Sequence, residues 1–363
     1  MKKRFALMMA AVMVLSLTAC GSKPSGGGTG DAADAEVSGE EDTGGSQETR
    51  SIRVGTLPFA GSVPVAYALE QGYFTDAGLD VEQYEFATGA PMNEAFAAGQ
   101  LDVAVIGLAG VISMSTGNAV CIYETNVASG GNGIFVREDS PLASEEITAD
   151  ALKGMNFIGQ LATSSQLMVI QFLEKYGLSQ DDVNFINMDS GADYQAFKSG
   201  EGDAVALMTP YAWNAEDEGY VCIYDFAEES DYVVPDTMLA TVSCMEKDRD
   251  TVKGFLEVYL KALEELSADE ELMFNYSRDY YAACGREYSD EYVKKDLETR
   301  YLISKEKISQ EGYIYGHGMW EVAKVFVEAG KIEEANLHNV TDCLDTSLLE
   351  EICGIQVEKE SGN

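Results

Sequence analysis

Apolar and polar positions alternate along this chain in a pattern that is written twice. Residues 52–57 form a short apolar, β-branched run, which predicts a strand. Residues 63–71 show apolar positions at helical spacing, with Pro64 tolerated in the first turn and Gly72 just past the end. A strand is predicted again at 81–86, a helix at 91–98 and a buried strand at 103–106. The second copy runs 157–160, 165–176, 183–188, 194–199 and 204–208, in the same order of strand and helix.

The two copies align residue by residue. At a shift of 104, Gly55 meets Gly159, Leu57 meets Leu161, and Leu69-Glu70 meets Leu173-Glu174. At a shift of 101, the segment from Ala95-Phe96 to Asp102 matches that from Ala196-Phe197 to Asp203. This period is far longer than a solenoid repeat, so the pattern predicts two similar lobes and not an array. Strands alternating with helices imply an α/β fold with mainly parallel sheets flanked by helices. From about residue 245 the chain turns helical. Val252, Phe255, Leu256, Tyr259, Leu260, Leu263 and Leu266 mark one apolar stripe, and Trp320, Ala323, Phe326 and Val327 mark another. Both are expected to be packing faces.

The N-terminus follows different rules. Lys2, Lys3 and Arg4 precede a mostly apolar run over 5–17, the length of a signal-peptide core and short of the about 20 residues that cross a bilayer. The run closes with Leu17-Thr18-Ala19-Cys20-Gly21, which resembles the lipobox of bacterial lipoproteins. That resemblance implies removal of residues 1–19 as a signal peptide and lipidation of Cys20. Acyl chains would then be the membrane attachment, on the outer face of the cell membrane. Residues 21–50 are Gly, Ser, Thr, Ala and acids, with little that could form a core. The stretch 20–50 is therefore expected to be a flexible linker, long enough to reach about 30 Å.

Charge narrows the partners. Residues 1–19 hold three of the 24 basic residues and none of the 62 acidic ones, which leaves a net charge of −41 from Cys20 onward. Such a surface argues against nucleic acid or anionic lipid as a partner. The six later cysteines show no CxxC pair or other metal spacing, so no metal or cofactor is expected. They read equally as disulfide partners in an exported protein or as small buried apolar residues.

Parallel α/β sheets bind ligands beyond the carboxyl ends of their strands. The loops there run Pro58-Phe59-Ala60-Gly61-Ser62, Thr88-Gly89-Ala90-Pro91 and Gly107-Leu108-Ala109-Gly110 in the first copy. In the second they run from Gln160 to Ser165, from Asp189 to Asp193, and Thr209-Pro210-Tyr211-Ala212-Trp213. Most are small or hydroxyl-bearing and stand where a helix begins, so free N–H groups favour electron-rich ligand groups. Ser62, Thr163, Ser164 and Thr209 can equally cap helices. Phe59, Tyr211 and Trp213 can stack on a flat ligand or sit in the core.

These blocks resemble the bacterial solute-binding proteins of the nitrate, sulfonate, taurine and thiamine-precursor ABC importers. The resemblance rests on Gly72-Tyr73-Phe74, Ala77-Gly78-Leu79-Asp80-Val81, Ala97-Ala98-Gly99-Gln100-Leu101-Asp102 and Leu152-Lys153-Gly154. It continues through Ser199-Gly200-Glu201-Gly202-Asp203-Ala204 and Glu328-Ala329-Gly330-Lys331-Ile332, and spans 52 to about 349. It implies the type II periplasmic-binding-protein fold, with lobe one at 51–130 plus 240–363, lobe two at 131–239, and a hinge of two segments near 128–135 and 237–243. It implies a monomer that delivers a small-molecule solute to a membrane permease and its ATPase. Ligand contacts are then expected at Phe59, Ala60, Gly61, Thr88, Gly89, Thr163, Ser164, Ser165 and Tyr211, with Asp189 and Trp213 as secondary positions. These loops hold no Lys, Arg or His, and Asp189 and Asp193 would oppose an anion, so an organic ligand, zwitterionic or heteroaromatic, is expected. Two other readings share the fold: a thiamine-pyrimidine synthase-like enzyme and a sensory lipoprotein without transport. The enzyme reading lacks its cysteine-rich cluster and has only His317 and His338, both away from these loops; no catalytic residue is expected.

Overall fold

The computed structural model describes residues 49–362, apart from 145, 162 and 231. The proposed signal peptide, Cys20 and nearly all of the linker lie outside the described residues. Ten strands form two five-stranded sheets. The first holds β1 (Arg50–Thr56), β2 (Leu79–Glu85), β3 (Val103–Ile106), β4 (Ala119–Val127) and β10 (Pro235–Thr241), in the order β2-β1-β3-β10-β4. The second holds β5 (Gly133–Val136), β6 (Asn156–Gly159), β7 (Asn184–Asn187), β8 (Ala204–Leu207) and β9 (Val221–Asp225), in the order β7-β6-β8-β5-β9.

The two orders are the same design. In each, the repeated strands pair in parallel, β1 with β2 and β3, β6 with β7 and β8. One strand in each sheet runs backwards, and it is the strand that has just arrived from the other lobe. β5 enters antiparallel between β8 and β9, and β10 enters antiparallel between β3 and β4. Both sheets are thus mixed, with two parallel and two antiparallel pairings each, where mainly parallel sheets were expected. The chain crosses at 128–132 and again at 230–234. The first crossing lies within the expected segment. The second corrects the expectation of 237–243, because those residues form β10 and the start of a helix; the expected boundary at 239/240 falls inside a strand of the first sheet.

The helices that build the site are α1 (Val63–Glu70), α2 (Gly89–Ala97), α3 (Gly110–Ser115), α4 (Ser164–Glu174), α5 (Ala192–Lys198) and α6 (Tyr211–Asp217). The later chain adds α7 (Val242–Ser267), α8 (Glu270–Ala283), α9 (Asp290–Thr299) and α10 (His317–Glu328). The α7 stripe is buried as its spacing predicts. It seats on the first lobe: Phe255 stacks on Phe74 at 5.1 Å, and Tyr259 Oη donates to the Gly61 carbonyl at 2.9 Å. Among the described residues no helix is long and apolar enough to cross a membrane.

Two glycines press the crossings against these helices. A Cβ on Gly130 would lie 2.0 Å from the Thr299 carbonyl oxygen at the end of α9. One on Gly318, at the start of α10, would lie 2.1 Å from the Val233 carbonyl oxygen in the second crossing. Both obstacles are backbone, which cannot swing aside. Gly130→Ala and Gly318→Ala should each destabilise the protein by about 1–3 kcal/mol, read as a fall in the urea midpoint.

Candidate cleft site

The carboxyl ends of strands from both sheets meet at one cavity of about 290 Å³. The first lobe contributes Leu57 after β1, Gly89 at the start of α2, and Gly107, Leu108 and Ala109 after β3. The second contributes Thr163 and Ser164 at the start of α4, and Met208 and Thr209 after β8. Ala128 and Asn132 of the first crossing, Asp236 of β10, and Arg300 just beyond α9 complete it. Larger hollows lie between α8 and α9 (about 850 Å³) and behind the second crossing (about 360 Å³), but neither draws on a strand end of the second sheet. The cleft is the place where both lobes converge.

Local chemistry fixes the walls. Thr163 caps α4: its hydroxyl accepts from the Ser165 N–H at 3.2 Å and donates to the Gln160 carbonyl at 2.8 Å. Ser164 is buried, and no described residue hydrogen-bonds its hydroxyl. The cavity thus meets the first turns of α4 and α2, the positive ends of their helix dipoles. Asn132 ties the crossing to the second lobe, accepting from Thr209 N–H at 3.0 Å and donating to the Ala128 carbonyl at 3.0 Å. Within the first lobe, Asn93 of α2 holds the loop after β3 and α3, donating to the Ala109 carbonyl at 2.7 Å and accepting from Ser113 Oγ at 2.6 Å.

The floor is ionic. Arg300 donates to Asp236 Oδ2 at 3.1 Å, and Asn126 Nδ2 donates to the same oxygen at 2.9 Å. Asp296 stands behind, 3.8 Å from the guanidinium, and accepts from Tyr281 Oη at 2.7 Å. Burial raises Asp236 above the usual carboxylate range despite Arg300 and Asn126. Burial works against the Arg300 charge too, but Asp296 and Asp236 outweigh it and hold the guanidinium above its ordinary value. Two carboxylates thus face one cation.

Of the residues expected at the ligand, Gly89, Thr163 and Ser164 line the cavity. The others do not. Phe59, Ala60 and Gly61 are buried beneath it, with the Gly61 carbonyl taken by Tyr259. Ser165 turns its hydroxyl onto the Ala206 carbonyl. Thr88 is exposed, and Asp189 is exposed while its carbonyl receives the first N–H groups of α5. Tyr211 packs on Tyr194 at 5.6 Å. Trp213 packs edge-on against Tyr292 of α9 at 4.6 Å, beside the Lys295–Glu216 ion pair, and so links the second lobe to the late helices. The strand-end loops hold no basic residue, but the cleft gains one from outside them, Arg300. Asp236 was findable: it is an acid inside the apolar run 233–240. Arg300 carries no comparable signal, because only the tertiary path brings it to the cleft.

The family model described as NMT1/THI5 like matches residues 60–271. A protein of Brachyspira hyodysenteriae described as an ABC transporter periplasmic binding protein is 27% identical over 316 residues, 84% of this chain and 90% of that one. Among solved structures, the periplasmic aliphatic sulphonate binding protein SsuA of Escherichia coli aligns with a TM-score of 0.65 at 18% identity, covering 82% of this chain and 98% of that one. The sulfonate-binding SsuA of Methylobacillus flagellatus gives 0.67 at 17% identity, covering 85% and 94%. The fold is that of the periplasmic binding proteins.

Proposed function

Because this chain belongs to the NMT1/THI5-like family, we propose that it is the extracytoplasmic solute-binding component of an ABC importer. It captures a small polar organic solute, of the sulfonate and taurine class or the pyrimidine thiamine-precursor class, and hands it to a membrane permease driven by an ATPase. The observation that carries this reading is the cavity walled by strand ends of both sheets and floored by a crossing segment. A ligand bridging Gly89 and Ser164 touches both lobes at once, so it favours whichever arrangement brings them together, and rotation about the two crossings supplies the closure. The cavity's size suits a molecule of few heavy atoms. A relative described as an ABC transporter periplasmic binding protein supports the transport role. The Leu17–Cys20 motif supports anchoring through lipidated Cys20, with residues 20–50 as the tether.

Calorimetric titration of the purified protein with taurine, alkanesulfonates, nitrate and thiamine-type pyrimidines tests the reading. An organic member should bind; tight nitrate binding with none to the organics would overturn the substrate class. Ser164→Ala should weaken the bound organic about 3- to 10-fold, the value of one hydrogen bond, without unfolding the protein. Thr163→Ala should weaken it too and, by removing the cap, cost about 1 kcal/mol of stability. Unchanged affinity in both variants would remove these contacts from the site.

A further inference from the structure

The cleft floor presents two adjacent and incompletely used groups. Asp236 is 3% exposed, and both of its side-chain donors among the described residues, Asn126 and Arg300, go to Oδ2. Its other oxygen, Oδ1, lies at the cavity against Gly107, 3.2 Å from where a Cβ there would stand, and receives no hydrogen bond from any described residue. It is the one oxygen of this carboxylate that the protein leaves for a donor in the cavity to meet. Arg300 has five N–H donors and makes one side-chain hydrogen bond among the described residues, the one to Asp236. Its Nε is buried without a partner, while the guanidinium reaches the same cavity. The floor therefore offers an acceptor and a donor side by side, in a setting where Asp236 and Asp296 outnumber Arg300.

Resting on the cleft being the solute site, we infer that Asp236 and Arg300 read a paired donor and acceptor on the ligand: a protonated amine or ring amino group toward Asp236 Oδ1, and an acceptor or acidic oxygen toward Arg300. The site then selects amine-bearing solutes, zwitterions and aminopyrimidines, over simple anions. A lone anion leaves Oδ1 without a donor and adds negative charge to a floor that already has an excess. A ligand amine satisfies Oδ1 and offsets that excess. Nothing in the strand-end loops supplies this discrimination, since Gly89, Thr163 and Ser164 offer N–H groups and hydroxyls that accept an anion readily.

Matched pairs test it on the full chain. Taurine is titrated against ethanesulfonate, which is taurine without its amine, and 4-amino-5-hydroxymethyl-2-methylpyrimidine against the same ring without the 4-amino group. The wild-type protein should bind the amine-bearing member of at least one pair about 30-fold more tightly than its partner, the cost of stranding a buried charged group. Asp236→Asn, checked for folding by circular dichroism, should bring the two members of that pair within a few-fold of each other. Equal or tighter binding of the compounds lacking the amine, or an unchanged preference in a folded Asp236→Asn protein, would overturn the inference and leave the cleft as a receptor. If no compound binds the folded wild-type protein, the aminosulfonate and pyrimidine reading of the cleft itself fails, and this inference with it. The wild-type comparison stands even if the variant does not fold.

Discussion

Arg300→Met should destabilise the protein by about 3–5 kcal/mol, because it removes the one cation from a buried cluster and leaves two carboxylates behind. Arg300 bonds Asp236 at 3.1 Å and lies 3.8 Å from Asp296, and both carboxylates are almost wholly buried. Methionine fills much of the stem's volume, so the loss measures charge more than packing. The direction with pH is fixed as well. Asp236 is already raised by burial, and without its cation it is raised further. The folded variant then holds protons that the unfolded chain releases, so its stability falls as pH rises. Urea unfolding at pH 5 and pH 8 should show the deficit widening at the higher pH; a deficit independent of pH would mean that packing, not charge, is lost.

The second large effect lies behind the second crossing. Glu124 of β4 is fully buried, accepting from Tyr313 Oη at 2.6 Å and from the Gly316 N–H at 3.0 Å. Burial pushes its carboxyl up to about 7 against both hydrogen bonds. Tyr232, Lys307, Glu311 and His317 line the same hollow. Because the folded carboxyl keeps its proton above the unfolded value of about 4.5, this group's stabilising contribution is present below that pH and is lost as pH climbs toward 7. Two and a half pH units correspond to about 3 kcal/mol. Glu124→Gln abolishes the titration, so the stability difference between variant and wild type should move in the variant's favour by about that amount between pH 4.5 and 7.5. Comparing the two proteins at each pH cancels every other titrating group. A difference that stays level would place the Glu124 titration well below this window.

How far the sequence reached can be judged element by element. The repeated units were legible because the hydrophobic period switches between two and 3.6 at the same places in both copies. β3 lies at 103–106 as its apolar run predicts, and the helices at Val63 and Ser164 start within a residue of their expected positions. The reversed strands β5 and β10 were not legible. Gly133-Ile134-Phe135-Val136 and Met238-Leu239-Ala240 are apolar runs, and such a run specifies neither the sheet it joins nor its direction. The same limit governs the cleft. Thr163, Ser164 and Gly89 stand at strand-to-helix junctions, which sequence pattern locates. Phe59 and Trp213 stand there too, yet their size carries them into the core, where a large apolar ring gains more than at a wet surface. Asp236 and Arg300 reach the floor through a crossing and a distant helix end, and no local rule joins residues 64 positions apart.

The exchange of strands between sheets has a consequence for how the polypeptide matures. The second sheet is complete once residues 133–225 have been made, whereas β4 must wait for β10, about a hundred residues later, before it has a neighbour on that side. Until then the apolar flank of β4 is an open edge of the kind that recruits other chains into aggregates. Cutting the gene after residue 127 would leave that edge permanently bare, so the amino-terminal segment is not a module that can be borrowed on its own, whereas 133–225 carries every strand its sheet requires.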